Sequence, residues 1–284
     1  MALTLLGLGS RRNFGRGFQK IYRDVEERWG SVFVLRNDNG RLRKLTSAAR
    51  TKEHDLLSPE ASDKRDPIVA ISRYSNVDGL GGPPYFFLLY SEDEVMVQLL
   101  LPLEKDSRFQ SNALLEVVTP WLADFPLVGG SISPAFAHSA NSRWTVEDDA
   151  FRLARAEHPG FQFIPLPPMG GYLDGLGNWG EITLLGPIAQ ERLGATSPSS
   201  TAVPKCLFQF TIGSCLIVQT ADRSLALGTS VISESARVAY SHMAAYLRPA
   251  QSSVYKEFIP IEEWDRLTVD WTSSLTNAVD APAN

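Results

Sequence analysis

Apolar residues along this chain fall into two patterns, stripes at helical spacing and short runs bounded by turn residues, and together they predict an α+β protein. Phe18, Ile21, Tyr22, Val25 and Trp29 recur at i, i+3, i+4, i+7 and i+11, so residues 15–30 read as an amphipathic helix stopped at Gly30. Leu114, Val117, Val118, Trp121, Leu122 and Phe125 form a second stripe. Its helix begins after Asp106-Ser107, where Ser107 and Gln110 have capping-box spacing, and Pro120 should kink or split it. Residues 85–90 and 95–101 are almost continuously apolar and flank a charged connection at 91–94, which predicts a hairpin buried on both faces. A strand at 31–36 with a turn at 37–40, a strand at 131–137 after Gly129-Gly130, and a helix over 146–157 capped by Thr145 complete this half. Residues 46–66 have few apolar anchors and read as a surface loop or a short exposed helix.

The apolar residues 2–8 lack a preceding basic stretch and are too short to span a membrane, so a core strand or a packed arm is expected there, in a cytoplasmic protein. Proline and glycine concentrate at 164–180. Beyond them come a strand at 181–185, a helix at 187–193, a hairpin at 206–220 and a helix at 233–248. The expected architecture is two packed α+β subdomains, 1–164 and 181–284, joined by a connection at 165–180. Each would be a small, mainly antiparallel sheet covered by helices.

Several short motifs carry a resemblance. Asn178-Trp179-Gly180 precedes the apolar run Ile182–Leu185, Gly186-Pro187 opens a short helix ending at Leu193-Gly194, a strand follows at Cys215–Thr220, and a last helix closes at Arg248-Pro249. Earlier in the chain, Leu101-Pro102-Leu103 ends a hairpin, Gly129-Gly130 opens a strand and His158-Pro159-Gly160 ends a helix. This order, over roughly residues 15–250, resembles the bacterial type VI immunity family. The resemblance implies a cognate immunity protein that binds a type VI secretion effector toxin, of nuclease type, and neutralises it stoichiometrically. Such a protein needs no turnover and no cofactor.

Charge adds to that picture. The chain of 284 residues has a formal net charge of −5, unevenly placed: residues 1–66 hold 14 Lys and Arg against 9 Asp and Glu, and residues 67–284 hold 13 against 23. An acidic body argues against nucleic acid as a ligand, because phosphate contacts need clustered cations, and suits a basic protein partner. The expected toxin contacts are therefore acidic clusters with aromatic neighbours: Glu92, Asp93 and Glu94 at a hairpin tip, Glu147, Asp148 and Asp149 in a helix first turn, and Glu262 and Glu263 beside Trp264. Tyr172 and Trp179 would be the aromatic anchors. Solvated turns and helix-dipole pairing account for the same acids without any partner, and Trp179 could equally plug a core.

Catalytic motifs are weak. Gly175 to Gly180 spells G-x-G-x-x-G, but a Pro/Gly loop precedes it and a strand follows, the reverse of a dinucleotide site. His54, His138, His158 and His242 lack metal-ligand spacing, and no Gly-x-Ser-x-Gly elbow occurs. Cys206 and Cys215 flank a turn at Gly213-Ser214 in a register that keeps them apart, so free thiols are expected. No metal is expected. The alternatives to a binder are a hydrolase using Asp174 and Glu181 in a cleft between the halves, and a structural adaptor of a secretion apparatus.

Overall fold

A computed structural model describes residues 1–9, 11–38, 41–58, 69–74, 84–90, 94–101, 110–133, 174–176, 179–196, 203–220 and 234–252. Its strands are β1 (Ala2–Leu8), β2 (Leu35–Asp38), β3 (Arg41–Lys44), β4 (Val69–Tyr74), β5 (Tyr85–Tyr90), β6 (Glu94–Leu100), β7 (Leu127–Ser133), β8 (Ile182–Leu185), β9 (Leu207–Ile212) and β10 (Cys215–Thr220). Its helices are α1 (Arg11–Trp29), α2 (Ser47–Leu56), α3 (Gln110–Leu122), α4 (Pro187–Thr196) and α5 (Glu234–Leu247), the last followed by a 3-10 turn at Arg248–Ala250.

All ten strands join in one antiparallel sheet of order β3-β2-β4-β5-β6-β1-β7-β8-β10-β9. The α+β class and the antiparallel pairing are as the sequence suggests. The expected two sheets are fused, because β7 pairs with β8 from Gly129↔Leu185 to Ile132↔Ile182. Residues 2–8 form one of the two central strands, the other being β6. β1 pairs with β6 from Ala2↔Leu100 to Leu8↔Glu94 and, on its other side, with β7.

Alternation along each strand divides the apolar residues between the two faces. Leu3, Leu5, Phe86, Leu88, Val97, Leu99, Ile182, Leu184 and Ile217 face α1, α2 and α3, meeting Phe18, Ile21, Val25, Leu114, Val118 and Trp121. The opposite face holds Leu6, Tyr85, Phe87, Leu89, Met96 and Leu100 over β5, β6 and β1. Over β8, β10 and β9 it packs Leu185, Val218 and Leu207 against Ala189 and Leu193 of α4 and Met243 and Leu247 of α5. This is why β6 is buried at every position, as a continuously apolar run requires.

Local departures from the sequence pattern have physical causes. Strand pairing begins at Leu35 rather than 31, since Arg50 Nη2 donates to the carbonyls of Gly30 (2.9 Å) and Phe33 (2.8 Å), and Val32 and Val34 remain exposed. The expected turn residues Asn37 and Asp38 belong to β2 itself. The polar 46–66 segment takes the helical one of its two expected forms, as α2, whose N-cap Thr46 accepts from the Ala49 amide at 3.2 Å. Helix α3 runs through Pro120 to Leu122 without dividing. Gly129 and Gly130 lie inside β7, not before it. Strand β4 has no counterpart in the sequence reading. The helix at 146–157, the tail beyond 253 and most of 164–180 lie outside the described residues.

Gly186 gives the Leu185-Gly186-Pro187 motif a steric reason. Its amide donates to the Val128 carbonyl at 3.0 Å, and its carbonyl accepts from the Gln190 amide in the first turn of α4. The chain therefore leaves the sheet while pressed on β7. A Cβ here would sit 1.7 Å from the Leu127 carbonyl oxygen, with backbone on both sides and no flexible side chain to give way. Gly186→Ala is expected to cost about 3 kcal/mol, lowering the thermal midpoint by about 6–12 °C. Gly194→Ala, with nothing within 4 Å of the added carbon, is the matched control and should be neutral. Equal midpoints for the two variants would contradict the packing described.

Candidate functional site

Only two of the expected contact residues fall within the described structure. Glu94 opens β6 opposite Leu8 and is buried, so its carboxylate is withdrawn from the surface that a contact needs. Trp179 is half-buried. Its ring lies 6.1 Å from that of Tyr240 and packs against the Leu176, Leu185 and Met243 cluster, the plugging role rather than a projecting anchor. Glu92, Asp93, Glu147, Asp148, Asp149, Tyr172, Glu262 and Glu263 lie outside the described residues.

The carboxylates considered for hydrolysis are occupied separately. Glu181 is buried and accepts from Ser111 Oγ at 2.9 Å, tying the start of α3 to the strand end before β8. Asp174 pairs with Arg192 Nη1 at 2.5 Å and accepts from Ser252 Oγ at 2.5 Å. Their partners differ: Ser111 holds Glu181, and Arg192 and Ser252 hold Asp174. Gly175 and Leu176 pass against the 3-10 turn, with the Leu176 amide donating to the Ala250 carbonyl at 2.7 Å and the Ser252 amide to Leu176 at 2.8 Å. The glycine-rich segment thus docks two pieces of backbone, and β8 follows it where a dinucleotide site would have a helix.

Cys206 and Cys215 are both free, and the Ile212↔Cys215 pairing is the one read from the turn. Gly213 has φ +57°, the left-handed conformation that the first central position of a primed two-residue hairpin turn demands. Burial pushes the Cys215 thiol up to about 12 and raises that of Cys206, so neither is poised as a nucleophile. Among the described residues no group of three or more His, Cys, Asp or Glu is placed to hold a metal ion. No helix there is long and apolar enough to cross a membrane.

Sequence reasoning missed a buried ionic cluster under α1 and α2. Arg73 of β4 is fully buried and reaches Glu53 of α2 through Nε (3.1 Å) and Nη2 (2.6 Å), Glu26 of α1 through Nη1, and the Tyr22 hydroxyl. The Tyr22 ring also stacks beneath it, 4.4 Å from the guanidinium carbon. Arg50 pairs with Glu26, and Arg36 approaches Glu53 at 3.9 Å. Burial is the largest influence on Glu53 and raises its carboxyl to about 7, against the pull of Tyr22, Arg36 and Arg50. The two bonds from Arg73 oppose that rise further. Burial likewise raises the Tyr22 hydroxyl and lowers Arg73. Every charge faces an internal partner, so the cluster fastens two helices to the sheet and offers nothing to a substrate.

Among the described residues, the far edge of the sheet is open to a partner. Phe208 and Phe210 of β9 are 53% and 40% exposed, the two most exposed aromatic side chains among the described residues, and among those residues β9 pairs only with β10. Gln209, on the other face, is held by Nε2 donating to the Tyr246 hydroxyl at 2.7 Å. The hairpin at 206–220 was legible in the sequence. Its place at the end of the sheet was not.

No protein-family model matches this sequence, and no curated protein matches it. Among solved structures, the Pseudomonas aeruginosa T6SS protein PA0821 is similar with a TM-score of 0.71 at 12% sequence identity, over 98% of this chain and 86% of that one. At that identity the likeness establishes a shared fold.

Proposed function

We propose that this chain is an immunity protein that binds and neutralises a cognate type VI secretion effector toxin, acting by stoichiometric occlusion in the cytoplasm. The observation that carries the reading is the match of nearly the whole chain to a protein described as belonging to the type VI secretion system. The Leu-Gly-Pro helix start and the other short motifs support the immunity branch of that association, and the acidic 67–284 segment suits capture of a basic toxin. Within the described residues Glu181 and Asp174 are held by internal partners and burial disfavours the Cys215 thiolate, which favours a binder over a hydrolase.

Co-expression with the toxin encoded beside it should restore growth, and the two purified proteins should elute as an equimolar complex. Association should slow as salt rises from about 50 to 500 mM, because steering by opposite charge is screened over that range. Absence of both protection and complex would refute the immunity reading.

A further inference from the structure

The two edges of the ten-stranded sheet are built differently. β3 is four residues long and exposes Arg43 and Lys44, the short and charged design that keeps an edge from pairing with another chain. β9 has neither guard. It is six residues long, its register with β10 runs without a shift, and residues 206–220 contain no charged residue and no proline. Phe208 and Phe210 stand on the same face as Cys215 and Ile217, beside α3, and are left exposed there.

The turn fixes which backbone groups look outward. Ile212 and Cys215 flank a two-residue turn, so they form a bonded pair, as do the pairs two and four residues further on. The residues between them, Gln209 and Thr211, then turn their N–H and C=O groups away from β10. The next outward amide, that of Leu207, already donates to Pro204 at 2.8 Å.

We propose that this edge pairs with β9 of a second copy of the chain, antiparallel about a two-fold axis at Phe210. Only this register bonds Gln209 to Thr211 of the other copy on both sides of the axis without calling on Leu207. The same register sets Phe210 against Phe210 and Phe208 against Ile212, so each exposed ring gains an apolar cross-strand neighbour. Self-pairing sets every residue near its own kind, which repels in a charged strand; the absence of charge in 206–220 removes that penalty. The remainder of each copy is acidic, so salt should strengthen this contact, opposite to its effect on a basic toxin. One strand edge buries less than the roughly 1,200 Å² of a stable interface, so the dimer forms and dissociates with concentration.

Sedimentation equilibrium tests this directly. The mass should rise from 31.3 kDa toward twice that value between about 1 and 200 µM, and more so in 0.5 M than in 0.05 M NaCl. Phe210→Lys, and Thr211→Pro, which removes an outward amide without touching the β10 ladder, should weaken dimerisation at least about tenfold with circular dichroism unchanged. Under mild oxidation Phe210→Cys should cross-link to itself far more than Phe208→Cys, whose opposite residue is Ile212. A wild-type protein monomeric at 200 µM, a dimer indifferent to Phe210→Lys, or preferential cross-linking at 208 would overturn the proposal. So would a monomer that uses Phe210 to hold the effector. Each of these results leaves toxin neutralisation to be judged by its own assay.

Discussion

A chain lacking residues 1–8 should not fold. β1 lies between β6 and β7, so its removal breaks two ladders at the middle of the sheet and separates β6 from β7 by a strand's width. Leu3, Leu5 and Leu6 are each no more than 2% exposed and belong to the cores of both faces. Their burial alone contributes about 5–9 kcal/mol, as much as the net stability of a typical domain. The deletion variant should therefore show no cooperative thermal transition and a collapsed amide spectrum. Leu5→Asp, which buries one unpaired carboxylate at the same place, should fall short of the deletion yet still cost several kcal/mol. A deletion variant with a wild-type melting curve would mean that residues 2–8 are not a central strand.

The contrast between β1 and α1 shows what the sequence could carry. Helix α1 was legible because its stripe is local: five apolar residues at helical spacing specify both the element and its buried face. The hairpins β5–β6 and β9–β10 were legible for the same reason, since each register follows from a nearby turn. Residues 2–8 could be read only as a strand or an arm, because their partners lie some 90 and 130 positions away and no local pattern names them. The fusion of two expected sheets at β7–β8 and the position of β9 at an edge are non-local in the same way. Hence Phe208 and Phe210 read as ordinary strand residues, whereas the acidic clusters are conspicuous in the sequence because their charges are adjacent. Charge hides in the opposite direction. Glu53 made the 46–66 segment look exposed, yet it is buried because Arg73, twenty residues on, is buried with it.

Replacing Arg73 with methionine should destabilise the protein by about 3–5 kcal/mol, the usual cost of removing one partner from a buried ionic group. The side chain joins Glu53, Glu26 and Tyr22 at full burial, and methionine of similar length restores packing against Phe86 but no bond. Glu26 keeps Arg50, whereas Glu53 is left with Tyr22 and a distant Arg36. That asymmetry gives the variant a pH signature. The Glu53 carboxyl is raised by burial from 4.5 to about 7, and loss of the guanidinium raises it further. A raised carboxyl makes the folded state hold a proton that the unfolded chain releases. Its contribution is therefore intact below the ordinary carboxylate range and lost as pH climbs through the raised value. Measured by urea denaturation, the deficit of Arg73→Met should be about 1–3 kcal/mol smaller at pH 5 than at pH 8. Arg73→Met combined with Glu53→Gln should lose that pH dependence and cost about 1–3 kcal/mol less than the sum of the two single changes. An additive double variant with an unchanged pH slope would show that Glu53 and Arg73 do not act as a pair.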